Sequence, residues 1–158
     1  NLDELFLAFS SSLSNFDNEH GMANSRARLR MTTLYQVAAA NKGIVVGTGN
    51  KVEDFGVGFY TKYGDGGVDI APIADCSKTE VWELATYLGI SKDIIDAEPT
   101  DGLWDDGRTD VNQLGMTYQE LEAAMSSKKD KNYEKYMQIR KKNLHKMEPI
   151  PVCKFKKK

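Results

Sequence analysis

The sequence predicts an α/β protein built on a parallel sheet, and three observations lead there. A short β-branched run, Gly43-Ile44-Val45-Val46, stops at Gly47-Thr48-Gly49-Asn50, as a buried parallel strand does where its connecting turn begins. A second run, Val68-Asp69-Ile70-Ala71, alternates and ends at Pro72. Helical spacing fills the chain on either side, and strands alternating with helices indicate α/β architecture. Ligands of such sheets bind beyond the carboxyl ends of the strands. The candidate site is therefore the glycine-rich stretch from Gly47 to Gly67 with Lys51, Glu53, Lys62 and Asp65, together with Asp69 just after it. Both signs of charge on such a backbone suit phosphates and a metal ion.

The elements follow in order. Leu2, Leu5, Phe6, Phe9 and Leu13 share one helical face, closed by the polar run after Leu13. Asn24 is an N-cap candidate for a helix to about Ala40, with Ala27, Met31, Leu34, Val37 and Ala38 inward. Arg26, Arg28 and Arg30 then fall in its first turns, opposing the dipole at a cost of up to ~1 kcal/mol. The cluster reads equally well as an anion site or an exposed face. Ser77 and Glu80 fit a capping box for a helix closed by Gly89, with Trp82, Ala85, Leu88, Val81 and Leu84 as its core stripe. Lys78 at the first helical position is electrostatically unwelcome unless it completes an anion site, so Lys78→Ala is expected to stabilise the ligand-free protein slightly and still lower turnover by ~10²-fold or more.

Residues 98–112 form an aperiodic Gly/Asp-rich stretch long enough to be a lid. Thr117 and Glu120 make another capping box for a helix to about Met125. A polar helix carrying Tyr133, Tyr136, Met137 and Ile139 extends to about Asn143, and Pro149 and Pro151 keep residues 147–158 an extended basic tail.

Across 158 residues, 41% apolar and 28% charged, the make-up is that of one globular domain. No apolar run nears the ~20 residues of a membrane span and the first residues are no signal peptide, so a cytoplasmic protein is expected. Cys76 and Cys153 lack the spacing of a zinc site or a disulfide framework. Residues 128–158 hold 12 of the 21 Lys/Arg and 3 of the 23 Asp/Glu. That basic end has no aromatic interleaving or recognition-helix pattern, so a solvated tail is expected and not a nucleic-acid binder.

The stretches Asn24-Ser25-Arg26-Ala27-Arg28-Leu29-Arg30-Met31, Gly43 to Thr48, Thr61-Lys62-Tyr63-Gly64-Asp65-Gly66-Gly67-Val68-Asp69, Lys78, Pro99-Thr100 and His145-Lys146 resemble, in order and spacing, the ammonia-utilising NAD synthetase domain. This is an amide-forming member of the ATP-pyrophosphatase family, and the match covers roughly residues 20–150. The resemblance implies a Rossmann-like adenine-nucleotide-binding fold and ATP-dependent amidation of deamido-NAD by ammonia, through an adenylated intermediate, giving NAD, AMP and pyrophosphate. It implies that Thr48, Lys78 and Thr100 contact ATP and that Glu53 holds Mg²⁺, with Asp54 as its neighbour and rival. Arg28, Lys62, Asp69, His145 and Lys146 would hold deamido-NAD. It also implies a homodimer.

Catalytic roles fall to Lys78, which would offset charge at the phosphorus centre, and Asp65, which would take a proton from ammonium. The family's Ser-Gly-Gly-x-Asp-Ser phosphate loop is not in the sequence, so the chain is expected to be the C-terminal part of one incomplete domain, without its first strands. The segment from Thr48 to Lys62 reads one residue longer than in the family. Three alternatives stand: another ATP-pyrophosphatase ligase with a different acceptor, a catalytically incompetent dimerisation fragment, and ammonia supplied by a glutaminase instead of from solution.

Overall fold

Seven α-helices, a 3-10 turn at Ser14–Phe16 and a π-helix at Lys51–Val57 make up the regular structure of residues 1–155, those described by the computed structural model. The α-helices are α1 (Asp3–Ser12), α2 (Glu19–Ala40), α3 (Lys78–Tyr87), α4 (Lys92–Ile95), α5 (Asp110–Leu114), α6 (Tyr118–Ser126) and α7 (Tyr133–Met147). The last lysines of the expected tail, at 156–158, lie outside the described residues.

The predicted parallel sheet, and with it the Rossmann-like α/β class, is not what forms. Among the described residues there is no strand, and the two β-branched runs meet at a single parallel bridge between Val46 and Ile70. Gly47 N–H donates to Ile70 O (2.7 Å) and Asp69 N–H to Val45 O (2.9 Å), after which the pairing stops. Two short runs are fewer than a sheet needs to hold itself together. Val46 and Ile70 remain 52% and 47% exposed, with nothing among the described residues continuing the ladder.

The helices begin where local chemistry directs. Ser77 accepts the Glu80 N–H and Glu80 answers the Ser77 N–H at 2.7 Å, so the α3 capping box closes as predicted, and Thr117 with Glu120 does the same for α6. Each satisfies two of the N–H groups that a helix start leaves without partners. A third box, Thr109 with Asn112, opens α5. Helix α2 starts a turn and more before Asn24, capped by the Asn18 carboxamide on Gly21 N–H at 2.7 Å. The three arginines are thereby moved out of the first turn, and their dipole cost goes with it. The expected core stripe of α3 is thinner than predicted, since Leu84 is 40% and Leu88 63% exposed.

The buried core joins the π-helix to α5, α6 and α7 through Val52, Val57, Leu114, Tyr118, Leu121 and Tyr136. A π-turn holds one more residue than an α-turn, so the seven residues from Lys51 to Val57 make a wide turn. Helix α7 completes the unit by donating to consecutive carbonyls at the end of the π-helix. Arg140 reaches Phe55 O and Gly56 O, Asn143 reaches Val57 O at 3.0 Å, and Lys146 reaches Gly58 O at 2.9 Å. Orphan carbonyls at a helix end are thus met by side chains, two of them cationic as the dipole favours.

Candidate active site

Two glycines fix the backbone of the site. The segment from Thr61 to Gly67 turns tightly against α2, with Tyr63 in the left-handed region at φ 62°. A Cβ on Gly64 would meet the Ala27 Cβ at 2.9 Å, so a side chain there would push the turn off the helix. At Gly49 a Cβ would overlap the Asp54 carboxylate. The turn after the Val46 bridge is therefore seated directly on an acidic side chain.

Asn50, 2% exposed, caps the π-helix by accepting the N–H groups of Val52 and Glu53 at 3.0 and 3.1 Å. That cap aims Glu53 at α3, where Lys78 Nζ meets its Oε1 at 2.9 Å. Both side chains are largely enclosed, at 16% and 17% exposed. The same Oε1 is 2.6 Å from the Tyr118 hydroxyl, which also lies 2.6 Å from Asp110 Oδ2. Asp110 is 5% exposed, and its Oδ1 is buried with no hydrogen-bond partner among the described residues. Burial pushes the Asp110 carboxyl and the Tyr118 hydroxyl up from their ordinary values. Neither residue stands out in the sequence, where Tyr118 follows a capping threonine and Asp110 lies near the end of the lid run.

Asp54 sits beside this pair. Burial first, then the charges of Glu53 and Asp65, push its carboxyl up to about 6. Such mutual repulsion is what a bound cation relieves. Among the described residues no three His, Cys, Asp or Glu side chains converge as a metal cage. Magnesium does not require one, since it is usually held by one or two carboxylates with phosphate and water making up the rest. Glu53, with Asp54 adjacent, fits that pattern, because Glu53 Oε2 takes no hydrogen bond among the described residues.

A second cluster lies at the end of α7. Lys62 Nζ donates to His145 O at 2.7 Å, a cation at a helix C-terminus. Lys146 Nζ donates to Tyr60 O (2.7 Å) as well as to Gly58 O, and Tyr60 OH returns a bond to Lys146 O at 2.6 Å. Burial lowers the Lys146 ammonium from its ordinary value, with Asp65 opposing. Asp65 accepts the Thr61 N–H at 2.8 Å, and its carboxyl is raised by lost solvation against the pull of that N–H and of Lys146. His145 and Lys146 belong to α7, which runs past Asn143 and leaves the expected tail to begin one residue into the helix end.

Of the remaining site candidates, Arg28 adjoins this second cluster. Arg28 Nε donates to Lys62 O at 3.3 Å. The Asp69 carboxylate is taken up by Val45 N–H (2.7 Å) and the Tyr35 hydroxyl (3.2 Å), completing the short pairing beside the bridge. Thr100 keeps to its own loop, accepting Gly102 N–H at 3.0 Å. Thr48 opens onto a cavity of about 270 Å³ with Gly47, Val46 and Arg30. A neighbouring cavity of about 320 Å³ is lined by Asn24, Thr61, Trp104 and Lys146. Asp65 and Asp101 border both.

Residues 98–112 are held against α2 by two of the three arginines. Arg26 donates to Leu103 O at 3.1 Å and pairs with Asp105 at 3.0 Å, while Arg30 reaches Gly102 O at 2.9 Å. Trp104 stacks on His20, 6.2 Å between centroids, and the Arg108 guanidinium lies 4.1 Å from its ring centroid. Arginines that look like an anion site on one helix therefore serve as clasps for a loop more than seventy residues away.

The NAD synthase family model matches residues 1–158. The chain belongs to that family. It is 48% identical over 126 residues to the NH(3)-dependent NAD(+) synthetase of Carboxydothermus hydrogenoformans, covering 77% of this chain and 51% of that protein. The enzyme of the same name from Thermoplasma volcanium is 38% identical over 153 residues, 92% of this chain and 62% of its own. Among solved structures, that of NMN synthetase from Francisella tularensis superimposes with a TM-score of 0.88 at 35% identity, over 98% of this chain and 65% of that one. The chain thus spans about half to two thirds of the length of these relatives.

Proposed function

We propose that the protein carrying this chain is a cytoplasmic, homodimeric ligase that amidates deamido-NAD with ammonia, using ATP and Mg²⁺, and releases NAD, AMP and pyrophosphate. One observation supports this above the others: Asp65 borders both the cavity that holds Thr48 and the cavity that holds Lys146. A nucleotide in the first and a nicotinate in the second would meet beside a single carboxylate. Family membership supports the reaction class.

In this reading Thr48 and Thr100 contact ATP and Lys78 offsets charge on its phosphates, while Arg28, Lys62, Asp69, His145 and Lys146 bind deamido-NAD. Glu53 would hold Mg²⁺, which supplies charge neutralisation to the departing pyrophosphate. The substrate carboxylate attacks the α-phosphorus and pyrophosphate leaves. Asp65 then takes a proton from ammonium, and the freed ammonia attacks the acyl carbon; the C–O bond to AMP breaks with its electron pair leaving on AMP, and a second proton passes from the nitrogen to solvent as the amide forms. A carboxyl raised by lost solvation is a stronger base than a hydrated one, which suits Asp65 to that transfer. Residues 98–112, clasped by Arg26 and Arg30, act as the lid that excludes water from the adenylate.

The likeness to an NMN synthetase favours a second reading of the acceptor, nicotinic acid mononucleotide. One assay on the full-length protein decides both: ATP–pyrophosphate exchange dependent on each acceptor in turn. We expect exchange with deamido-NAD, loss of exchange in Glu53→Gln, and a much smaller effect of Asp54→Asn. Exchange with the mononucleotide alone would reassign the substrate, and exchange with neither would sink the ligase reading.

A further inference from the structure

The side chains around Glu53 form a continuous, largely enclosed chain from Lys78 through Glu53 and Tyr118 to Asp110, the residue near the end of the lid run at which α5 begins. We infer that Tyr118 is a positioning residue: its hydroxyl fixes the Glu53 carboxylate that would hold the metal and ties it to the closing end of residues 98–112. This rests on the proposed function for the metal role and on geometry alone for the tie to the loop.

Tyr118 is 3% exposed and cannot swing away, since the Trp82 ring stands edge-on to it at 6.0 Å and the Lys78 ammonium lies 4.8 Å from its ring centroid. Its position is set by the Thr117–Glu120 capping box, which makes Tyr118 the first residue of α6. Asp110 is fixed independently. Its own N–H donates to Pro99 O at 3.0 Å, closing the loop across its base, and its place at the start of α5 is set by the Thr109 cap. The loop base and the Glu53 carboxylate are thus two ends of one hydroxyl's contacts, both 2.6 Å long. Glu53 has no other restraint on its head group, among the described residues, than Lys78, a partner that in the proposed reaction must also face phosphate. Without the hydroxyl, the carboxylate would be free to follow the lysine.

Partners behind a metal ligand that hold its orientation are typically worth roughly 10–100-fold in metal affinity. In the full-length protein, Tyr118→Phe keeps the ring under Trp82 and removes only the hydroxyl. We expect Mn²⁺ binding in the presence of ATP, followed by electron paramagnetic resonance, to weaken at least ~10-fold. The Michaelis constant for deamido-NAD should stay within about twofold of wild type, a split that general loosening would not give. Trypsin cleavage after Arg108, followed by mass spectrometry, should be faster in the variant. Because Tyr118→Phe leaves the Asp110 carboxyl buried without its partner, the double variant with Asp110→Asn repeats both measurements with that charge removed. Unchanged Mn²⁺ binding together with unchanged cleavage in both variants overturns the inference. A wild-type protein that exchanges no pyrophosphate would defeat the proposed function, and the cleavage arm would still decide whether Tyr118 secures the loop.

Discussion

The two halves of the candidate site are built differently. The π-helix and its partners α5, α6 and α7 close around Val52, Val57 and Leu121, all 0% exposed. The bridge between Val46 and Ile70, with the α2 face beside it, leaves Leu34 and Val37 each 54% exposed. Glu53 and Lys78 rest on the closed half, Thr48 on the open one. A helix satisfies its own backbone and needs only a face to bury, whereas a strand needs neighbours for every group it presents. The closed half can therefore hold its shape with the residues at hand, and the open half is as ordered as its few hydrogen bonds make it.

The contrast is most directly broken at Leu121. Leu121→Ala should cost about 2–5 kcal/mol in denaturant unfolding, because Leu121 is fully buried in the core that joins α6 to α7 and the π-helix. Next in size is Lys78→Ala. The helix dipole alone would give a slight gain, but the structure makes Lys78 half of an enclosed ion pair, so a loss of about 1.5–3 kcal/mol is expected. A higher melting temperature in Lys78→Ala would show that the pair is not formed.

Asp54 sharpens the comparison through pH. Its carboxyl ordinarily titrates near 3.8 and in the folded chain near 6, so the folded state holds the proton more tightly. Stability on this account falls as pH climbs through that window and stays lower above it. Asp54→Asn should flatten the fall and leave the protein more stable at neutral pH, as read from melting temperatures at a series of pH values. The smallest effect belongs to the open half: Val46→Ala should move stability by no more than about 0.5 kcal/mol. A loss as large as that of Leu121→Ala would mean that Val46 is covered in the folded protein.

How much of this the sequence discloses depends on how local the signal is. The Ser77–Glu80 and Thr117–Glu120 boxes are legible because donor and acceptor lie three residues apart and their chemistry is specific. The start of α2 is not, because Asn18 and Asn24 are both competent caps, and only packing chooses between them. The β-branched run at Gly43 to Val46 is legible as a segment but misleads as a sheet, since pattern says nothing about whether partners are present.

In the site, Glu53 and Lys78 stand out separately in the sequence, and their contact comes from a π-helix that no residue code announces. Arg26 and Arg30 give up their loop partners only in three dimensions. Tyr118 carries no signal at all, because a tyrosine after a capping threonine looks like any other core residue.

The π-helix also has a consequence for how this protein can change over time. Each residue added to or taken from a helix rotates the remainder of its length by about 100°. Removing one codon between Lys51 and Val57 with the wide turns kept would swing Val57 away from the core by an angle of that order, while the Asn50 cap held Glu53 where it is. Substitutions in this segment are graded in effect, but length is not. A lineage that shortened it without closing the turn would have to re-index the whole face that α7 grips with Arg140, Asn143 and Lys146, so the length of this segment is held in place by its partners.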